Sequence, residues 1–509
     1  MKWWYPLTGS KMSEEKTSVA FQILEAILAV LSLLIFIGLI VPALLLVLIP
    51  VQLYRWSLML YVKLFKKDVV RIMKGKNPVL AIDDIHTRPL CTIVGYGAFE
   101  GATGEHMKQI ARNCVDDKDP VTGQLLHPET HQYYEEWMGY MWWKWEKNYN
   151  TEDHIIIWED GREASNPVLE KDFMKIIAIL EAKPFPKGTS PWEAIILNNV
   201  LLNNVKNPEI PKTAIIFRFH HGLADGVTAL ALFMKCVFSD TMDQIPKPVL
   251  PERNFIQKRL FKLCAILQLP YQFLKQGVCA MDVNDWHVPE AKLSRTVYKA
   301  WTRRIPTALI KEIKTQLGVG FTAVLISVVS GTLRKMMIKH NAKVPTRMNA
   351  LVPLPWPKHP QKSFGFLELP TGQSDPVRRL NHVHRYIERM KQSAVPAVNF
   401  FMLAFVNILP TWIIRNTVMT NYFPTVILSN FPGPPPECFS LGFPLMDTMF
   451  TGGPLRGNIG ISICILSYDG AIRIVLGVDS TIFPTQEMAD DFIEVLENEF
   501  YSLRQESTV

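Results

Sequence analysis

The sequence predicts an α/β enzyme of two parts, preceded by one transmembrane helix. Residues 213–238 have the pattern of a β-branched and aromatic strand that runs through a Gly-flanked turn into an Ala/Leu-rich helix. Residues 320–340 have the pattern of an apolar-faced helix, and an extended segment follows at 347–355. Strands and helices therefore interleave on both sides of about residue 290, as expected for a two-part α/β enzyme. Residues 26–54 contain no charged side chain, which predicts the membrane helix.

The composition is that of a folded protein with a large core. The chain has 509 residues, of which 48% are hydrophobic and 20% charged, and this balance excludes a disordered protein. No zinc-finger spacing or RNA-binding signature occurs, so we expect no nucleic-acid partner. Part of the net charge of +7 comes from a basic cluster just after the apolar segment, which suggests anionic lipid headgroups. That cluster comprises Lys63, Lys66, Lys67, Arg71, Lys74 and Lys76.

The cysteines give no sign of a disulfide framework or a zinc site. There are seven, widely spread, and none forms a CxxC pair. We therefore expect no bound metal and a body that faces a reducing compartment.

The apolar segment 26–54 exceeds the roughly 20 residues that a helix needs to cross a bilayer. A signal peptide is disfavoured, because its apolar part is only about 7 to 15 residues long. Basic residues are denser after the segment than before it, which predicts that the large C-terminal body faces the cytosol. Pro42 leaves two geometries open, a kinked helix or a re-entrant hairpin.

Three later segments also have membrane-like or aromatic patterns. Residues 256–275 mix basic and apolar side chains at near-helical spacing, which fits a helix in the headgroup plane or a surface helix packed on its own core. Residues 394–414 are apolar but interrupted by Asn and Pro, which favours a buried or monotopic helix over a second crossing. Residues 131–150 are rich in aromatics and predict a surface or interfacial element, with an aromatic substrate box as the alternative.

The chemistry is best sought in the stretch HHGLADG at 220–226. An imidazole has an ordinary pKa of about 6.5, which suits proton abstraction near neutrality, and a strand-to-turn junction can present it to a cavity. Neighbours on a strand point to opposite faces, so His220 and His221 cannot easily bind one metal ion. Asp225 can fix the turn, while Gly222 and Gly226 allow unusual torsions and close approach of a substrate. The chain has no GxSxG, GxxxxGK[ST], GxGxxG or HExxH motif, which argues against serine hydrolysis, nucleotide chemistry, hydride transfer and zinc proteolysis.

Together with this motif, a series of further elements resembles the wax ester synthase/diacylglycerol acyltransferase family, one of the HHxxxDG acyltransferases. They follow the family's order: TSPWE (189–193), VLISVVSGTLRKMM (324–337), ALVPLP (350–355), SFGFLELP (363–370), DPVRRLNHVHR (375–385), SNFPGPP (429–435) and SYDG (467–470), with Asp479 after them. One departure is Thr322–Ala323, where the family commonly has Asn-Asp. The resemblance covers most of residues 80–505.

The resemblance implies two halves like chloramphenicol acetyltransferase that meet at a central tunnel. The chain would then divide into a tail (1–25), an anchor (26–54), an N-terminal half carrying HHxxxDG (75–290) and a C-terminal half (291–509). It also implies that His221 is the general base, supported by His220, Asp225 and Gly226, with Asp225 held by an Arg that the sequence does not identify. No cofactor would be bound, and acyl-coenzyme A would be the co-substrate.

The resemblance leaves the acceptor and the role of Asn430 open. A long-chain fatty alcohol would give wax ester, and diacylglycerol would give triacylglycerol. Asn430 either donates a hydrogen bond to substrate or belongs to a loop set by the Pro-Gly pair. A catalytically silent lipid-droplet or membrane scaffold that keeps the fold is the alternative function. We expect a membrane protein, of the endoplasmic reticulum or a lipid droplet, with membrane lipid as a partner.

Overall fold

The computed structural model describes residues 19–74, 77–159, 166–203, 205–223, 232, 254–356, 359–406, 408–417, 422–434 and 436–507. The described helices are Val19–Ile35 (α1), Val41–Phe65 (α2), Asn77–Ala81 (α3), Gly104–Val115 (α4), Glu170–Ala182 (α5), Phe255–Cys279 (α6), Thr307–Leu317 (α7), Phe321–Lys339 (α8), Pro376–Gln392 (α9), Val395–Val406 (α10), Thr411–Thr417 (α11) and Gln486–Ser507 (α12).

Two large sheets and one small sheet are built from the described strands. These are Val69–Ile72 (β1), Thr92–Glu100 (β2), Gln132–Trp137 (β3), Tyr140–Trp145 (β4), Ile155–Ile157 (β5), Val168–Leu169 (β6), Trp192–Leu201 (β7), Lys212–His220 (β8), Val297–Trp301 (β9), Ile305–Pro306 (β10), Met348–Trp356 (β11), His359–Leu369 (β12), Val426–Phe431 (β13), Phe439–Ser440 (β14), Phe443–Gly452 (β15), Ile461–Tyr468 (β16) and Ala471–Asp479 (β17).

The N-terminal sheet carries the motif on a central strand. Its order is β14-β15-β2-β8-β7-β5, with β6 also paired to β7. Every residue of β8 is buried, and β8 lies antiparallel between β2 and β7, with Thr92 opposite His220. A strand buried on both faces is expected to be continuously apolar, as the run of residues 213–219 nearly is. The predicted strand is therefore confirmed, and it ends at His220.

One strand crosses from the C-terminal part of the chain into this N-terminal sheet. β15 pairs antiparallel with β2 over Leu445–Gly452, although the sequence division placed these residues in the C-terminal half. A single cut at 290/291 therefore does not separate the sheets. The division of the chain into two halves stays a prediction, and this strand crossing could not be predicted because pairing between distant segments leaves no local signal in the sequence.

The C-terminal sheet has the order β10-β17-β16-β13-β11-β12, with β9 on the other side of β17. Helix α8 packs into the large core of this half, and nearly all of its residues from Ala323 to Leu333 are fully buried. It is apolar and long enough to cross a membrane, but 72% of it lies inside the protein. Helix α8 is therefore a core helix, and the interleaved α/β architecture is confirmed.

The N-terminal apolar segment forms one continuous helical rod. A π-helical turn, Phe36–Ile40, joins α1 to α2, and the residues on either side of it keep right-handed helical torsions. Pro42 directly follows the π-helical turn, so its missing N–H falls at this irregular turn and the helix continues through it. The re-entrant hairpin is thus wrong for this chain. The apolar stretch Ile23–Phe65 is 43 residues long, and an apolar window of 18 residues within it is not buried by the rest of the protein.

The other two membrane-like segments are short or attached to the body. Residues 394–414 form α10 and α11, and α10 has only 12 residues, or about 18 Å, against the ~30 Å of a bilayer core. A second crossing there is wrong. Residues 131–150 form the hairpin β3–β4, which joins β1 in the small sheet.

One cysteine departs from the expectation of free thiols. Cys114 is disulfide-bonded, whereas Cys91, Cys264, Cys279, Cys438 and Cys464 form no disulfide. Without a CxxC pair or a regular cysteine spacing, the sequence offered no signal for this bond.

Candidate active site

The end of β8 fixes the two histidines through their backbones. The His220 N–H donates to the Pro191 carbonyl (2.9 Å), and the His221 N–H donates to the Cys91 carbonyl (2.8 Å). The Leu223 N–H then closes a turn on the His220 carbonyl (2.9 Å). Both strands that flank β8 therefore hold the motif in place, one through the segment before β7 and one through the segment before β2.

His220 is fully buried, and both of its ring nitrogens are engaged. Nδ1 accepts a hydrogen bond from the Gly222 N–H (3.2 Å) and also contacts the Tyr134 hydroxyl. Nε2 lies 3.0 Å from Oδ2 of Asp83. Because Nδ1 accepts a backbone N–H, the proton of the neutral ring resides on Nε2, which donates to Asp83. His220 is thus a fixed structural group.

Asp83 connects both histidines to the segment before β2. Its Oδ2 also accepts the N–H groups of Leu90 (2.7 Å) and Cys91 (2.9 Å). Burial by itself would raise the pKa of Asp83, but the hydrogen bond from His220 and these two N–H groups hold the pKa below its ordinary value. Asp83 therefore stays ionised, and it orders Cys91, whose carbonyl holds His221.

Neither Asp83 nor Tyr134 was predicted as a site residue. Asp83 is one of two adjacent aspartates in an irregular segment, and it lies 137 positions from His220. Tyr134 belongs to the aromatic stretch that was expected to be a surface element, but its side chain is buried beside His220. Burial raises the pKa of Tyr134 well above its ordinary value, so its hydroxyl is neutral.

Asp83, Cys91 and His220 each offer a possible metal ligand, and these ligand atoms lie within 4.8 Å of one another. The arrangement does not fit a metal site. Oδ2 of Asp83 already accepts three hydrogen bonds, and burial raises the pKa of the Cys91 thiol well above its ordinary value. We interpret the cluster as a hydrogen-bond network.

Gly222 is required by close packing under the turn. A Cβ at this position would lie 2.6 Å from the Tyr134 hydroxyl and 2.8 Å from the Cα of Ala81. Only glycine allows the Gly222 N–H to reach His220.

His221 is the member of the pair whose side chain keeps some exposure. It is half-buried and occupies the first position of the turn after β8. Asp225 and Gly226 lie outside the described residues, so their supporting roles and the Arg partner of Asp225 stay predictions. Within the described part of the motif, only His221 can both reach solvent and act as a proton acceptor.

The element TSPWE packs directly against the motif. Trp192 pairs with Phe219 across β7 and β8, and its indole N–H donates to the Thr130 carbonyl (2.7 Å). Glu193 accepts a hydrogen bond from the buried Arg218 (2.7 Å). The TSPWE element thus lies beside the histidines, in agreement with the family resemblance noted from the sequence.

Comparison with known proteins finds sequence similarity to acyltransferases. Residues 361–498 match the model of the WS/DGAT C-terminal domain. A putative diacylglycerol O-acyltransferase of Mycobacterium tuberculosis is 28% identical over 206 residues, which cover 37% of this chain and 40% of that protein. The wax ester synthase/diacylglycerol acyltransferase 9 of Arabidopsis thaliana is 23% identical over 410 residues, covering 69% of this chain and 81% of that protein.

This chain is similar to proteins of the wax ester synthase/diacylglycerol acyltransferase family. It spans about two fifths of the length of the first curated relatives that it matches.

Solved structures agree on the fold. The wax ester synthase/diacylglycerol acyltransferase of Marinobacter aquaeolei superposes with a TM-score of 0.59 at 16% identity, over 86% of this chain and all of that one. A condensation domain of the calcium-dependent antibiotic synthetase gives a TM-score of 0.52 at 11% identity, over 86% of this chain and 97% of that one. The predicted fold class is confirmed. The central tunnel that it would enclose stays a prediction.

The two remaining family positions lie in the C-terminal half. Asn430 is half-buried on β13 and precedes a tight approach at Gly433, where a Cβ would lie 2.0 Å from the Ser467 carbonyl oxygen. This contact accounts for the glycine of the Pro-Gly pair structurally, and the role of Asn430 in substrate binding stays a prediction. Ala323 lies in the apolar core and Thr322 is exposed, so an aspartate at 323 would be buried there.

Proposed function

We propose that the chain is a membrane-bound O-acyltransferase that transfers an acyl group from acyl-coenzyme A to a hydroxyl group, with His221 as the general base. The acceptor is a long-chain fatty alcohol, a diacylglycerol, or both. The observation that carries the proposal is the difference in environment between the two adjacent histidines. His220 is fully buried and its ring contacts Asp83, Tyr134 and the Gly222 N–H, whereas His221 is half-buried at the first position of the turn after β8.

The proposed reaction needs only one proton carrier. The His221 imidazole removes the hydroxyl proton of the acceptor, and the acceptor oxygen attacks the thioester carbonyl carbon. The carbon–sulfur bond then breaks, and the coenzyme A sulfur takes the proton from the imidazolium. The products are an ester and free coenzyme A. No acyl-enzyme forms, and no bound cofactor is required.

An apolar cluster beside the motif supports a lipid acceptor. It joins Cys91, whose carbonyl holds His221, to Ala280 just after α6. Its other buried members are Leu351, Phe366, Leu455 and Ile459. A fatty alcohol and a diacylglycerol both reside in the bilayer, so either would be delivered through apolar surroundings. We propose a location in the endoplasmic reticulum or on lipid droplets, with the body in the cytosol, where acyl-coenzyme A is made.

The test is ester synthesis in cells that lack neutral-lipid synthesis. Labelled fatty acid is supplied with or without hexadecanol, and the wild type is compared with His221→Ala. The matched control is His382→Ala, because His382 is partly exposed and pairs with Glu368 in the C-terminal half. We expect wax ester or triacylglycerol from the wild type and the control, but not from His221→Ala. Absence of ester from a well-expressed wild type would favour the silent scaffold.

A further inference from the structure

Helix α6 buries several polar side chains and exposes many apolar ones. Its buried side chains include Gln268, Gln272 and Lys275, whereas its exposed side chains include Leu274 (59% exposed) and Val278 (78% exposed). The other exposed apolar residues of this helix are Phe255, Ile256, Leu260, Leu263, Ile266, Leu267 and Phe273. A helix in water buries its apolar face. The reverse arrangement is the one expected where the exposed face contacts lipid, because polar groups in a bilayer must pair within the protein.

The buried polar face of α6 is paired with both of its neighbours. The Lys275 ammonium donates to Glu25 of α1 (2.6 Å), and the Tyr271 hydroxyl donates to the same carboxylate (3.0 Å). On the other side, Gln276 and Asn399 of α10 exchange two hydrogen bonds, of 3.0 and 2.9 Å. Helix α10 in turn packs on β12 of the C-terminal sheet. The three helices therefore form a layer attached to the body.

The N-terminal rod touches the body near both of its ends. Glu25 fixes the first end to α6, while Leu58 and Val62 pack into the small sheet at the other end. In that sheet they contact a cluster that includes Ile72, Tyr140 and Trp142. The two attachments are 33 residues apart, or about 50 Å along a helix. Both attachment points belong to the same folded body. If the rod crossed a bilayer between them, parts of that body would lie on opposite sides of an apolar core about 30 Å thick, which these contacts do not allow.

The geometry points to a monotopic anchor: the rod (residues 19–65) and α6 lie in the plane of one leaflet of a lipid bilayer, with their exposed apolar faces in the acyl chains. Basic side chains near the edges fit anionic headgroups, since Lys63, Lys67, Arg259 and Lys262 are exposed. This inference refines the membrane-bound part of the proposed function. It does not depend on acyl transfer.

The first test separates an in-plane helix from a crossing helix. The full chain carries one protease-cleavable tag before residue 1 and another after residue 509, and sealed microsomes are treated with protease. An in-plane rod places both tags on the same side, so both are cut or both are protected until detergent is added. Cleavage of one tag alone would overturn the inference. Because the readout is topology, an inactive enzyme leaves it unaffected.

The second test asks whether lipid covers the exposed face of α6. Leu274→Cys is compared with Ile338→Cys, which lies on α8 and has a similar exposure (55%). Purified full-length protein in liposomes is labelled with a membrane-impermeant maleimide, and the wild-type background is subtracted. We expect Leu274→Cys to react about tenfold more slowly than the control, and to match it once the protein is denatured. Equal rates in liposomes would show that the face is not in lipid.

Discussion

Asp83 gives the sharpest prediction about how the site is held. Its Oδ2 accepts three hydrogen bonds, from Leu90, Cys91 and His220, and its side chain is only 2% exposed. Replacement by alanine leaves all three donors buried without an acceptor. Replacement by asparagine keeps one oxygen for them but removes the charge and places an amide N–H₂ near the Asp84 N–H, which donates to Oδ1 (2.9 Å).

The magnitudes follow from the hydrogen bonds lost. Each buried donor left unsatisfied costs about 1–3 kcal/mol, so Asp83→Ala should destabilise the protein by about 3–6 kcal/mol after partial relaxation. A hydrogen bond to a charged acceptor is worth about twice a neutral one, so Asp83→Asn should cost about 1–3 kcal/mol. The order of stability should be wild type, then Asp83→Asn, then Asp83→Ala.

The assay combines thermal unfolding in detergent with steady-state acyl transfer. Asp84→Ala is the matched control, because the Asp84 side chain is exposed and accepts a hydrogen bond from the Thr87 hydroxyl at the surface. We expect kcat to fall in Asp83→Asn while the affinity for acyl-coenzyme A is retained, since Cys91 and hence His221 shift. If Asp83→Ala melted with the wild type and turned over at the wild-type rate, the network would have no positioning role.

Three further predictions concern packing, charge and pH. Gly222→Ala should abolish acyl transfer and lower the free energy of unfolding by about 1–3 kcal/mol, because the added methyl group overpacks the turn. Gly277→Ala is the control, because a Cβ there meets open space and should change neither quantity. Thermal unfolding and turnover of both variants are measured. Glu25→Ala should cost about 3–5 kcal/mol because Lys275 stays buried and unpaired, and replacing both residues by methionine should recover most of the melting temperature. Burial raises the pKa of Asp282 to about 6, above its unfolded value near 4, so the folded state binds the proton of this carboxyl more tightly. The resulting stabilisation, about 3 kcal/mol, is fully present below pH 4 and is lost as the pH rises through 6. Denaturant unfolding in detergent between pH 4 and 7 should show this decline, and Asp282→Asn should flatten it.

Local patterns in the sequence predicted the features that depend on local physics. The run of residues 213–219 gave the strand that ends at His220, and the uncharged run 26–54 gave the long apolar helix. Adjacent histidines at a strand end were expected to point to opposite faces, and the full burial of His220 beside Asp83, with His221 half-buried, agrees with this.

The features that the sequence did not reveal depend on contacts between distant segments. Asp83 reaches His220 across 137 positions, and β15 joins the N-terminal sheet from the far end of the chain. The polar face of α6 was also visible in the sequence, but its direction was not. The pairing of Lys275 with Glu25 and of Gln276 with Asn399 shows which polar side chains of the helix face the protein.

The central claim is that His221 carries the proton of the acceptor hydroxyl. The most direct measurement is coenzyme A release by purified protein in liposomes, with hexadecanol or diacylglycerol, for the wild type, His221→Ala and His382→Ala. General-base catalysis contributes about 10²–10⁴-fold, so kcat should fall by that factor in His221→Ala alone, with acyl-coenzyme A binding unchanged. A His221→Ala protein that binds acyl-coenzyme A and releases coenzyme A at the wild-type rate would contradict the account.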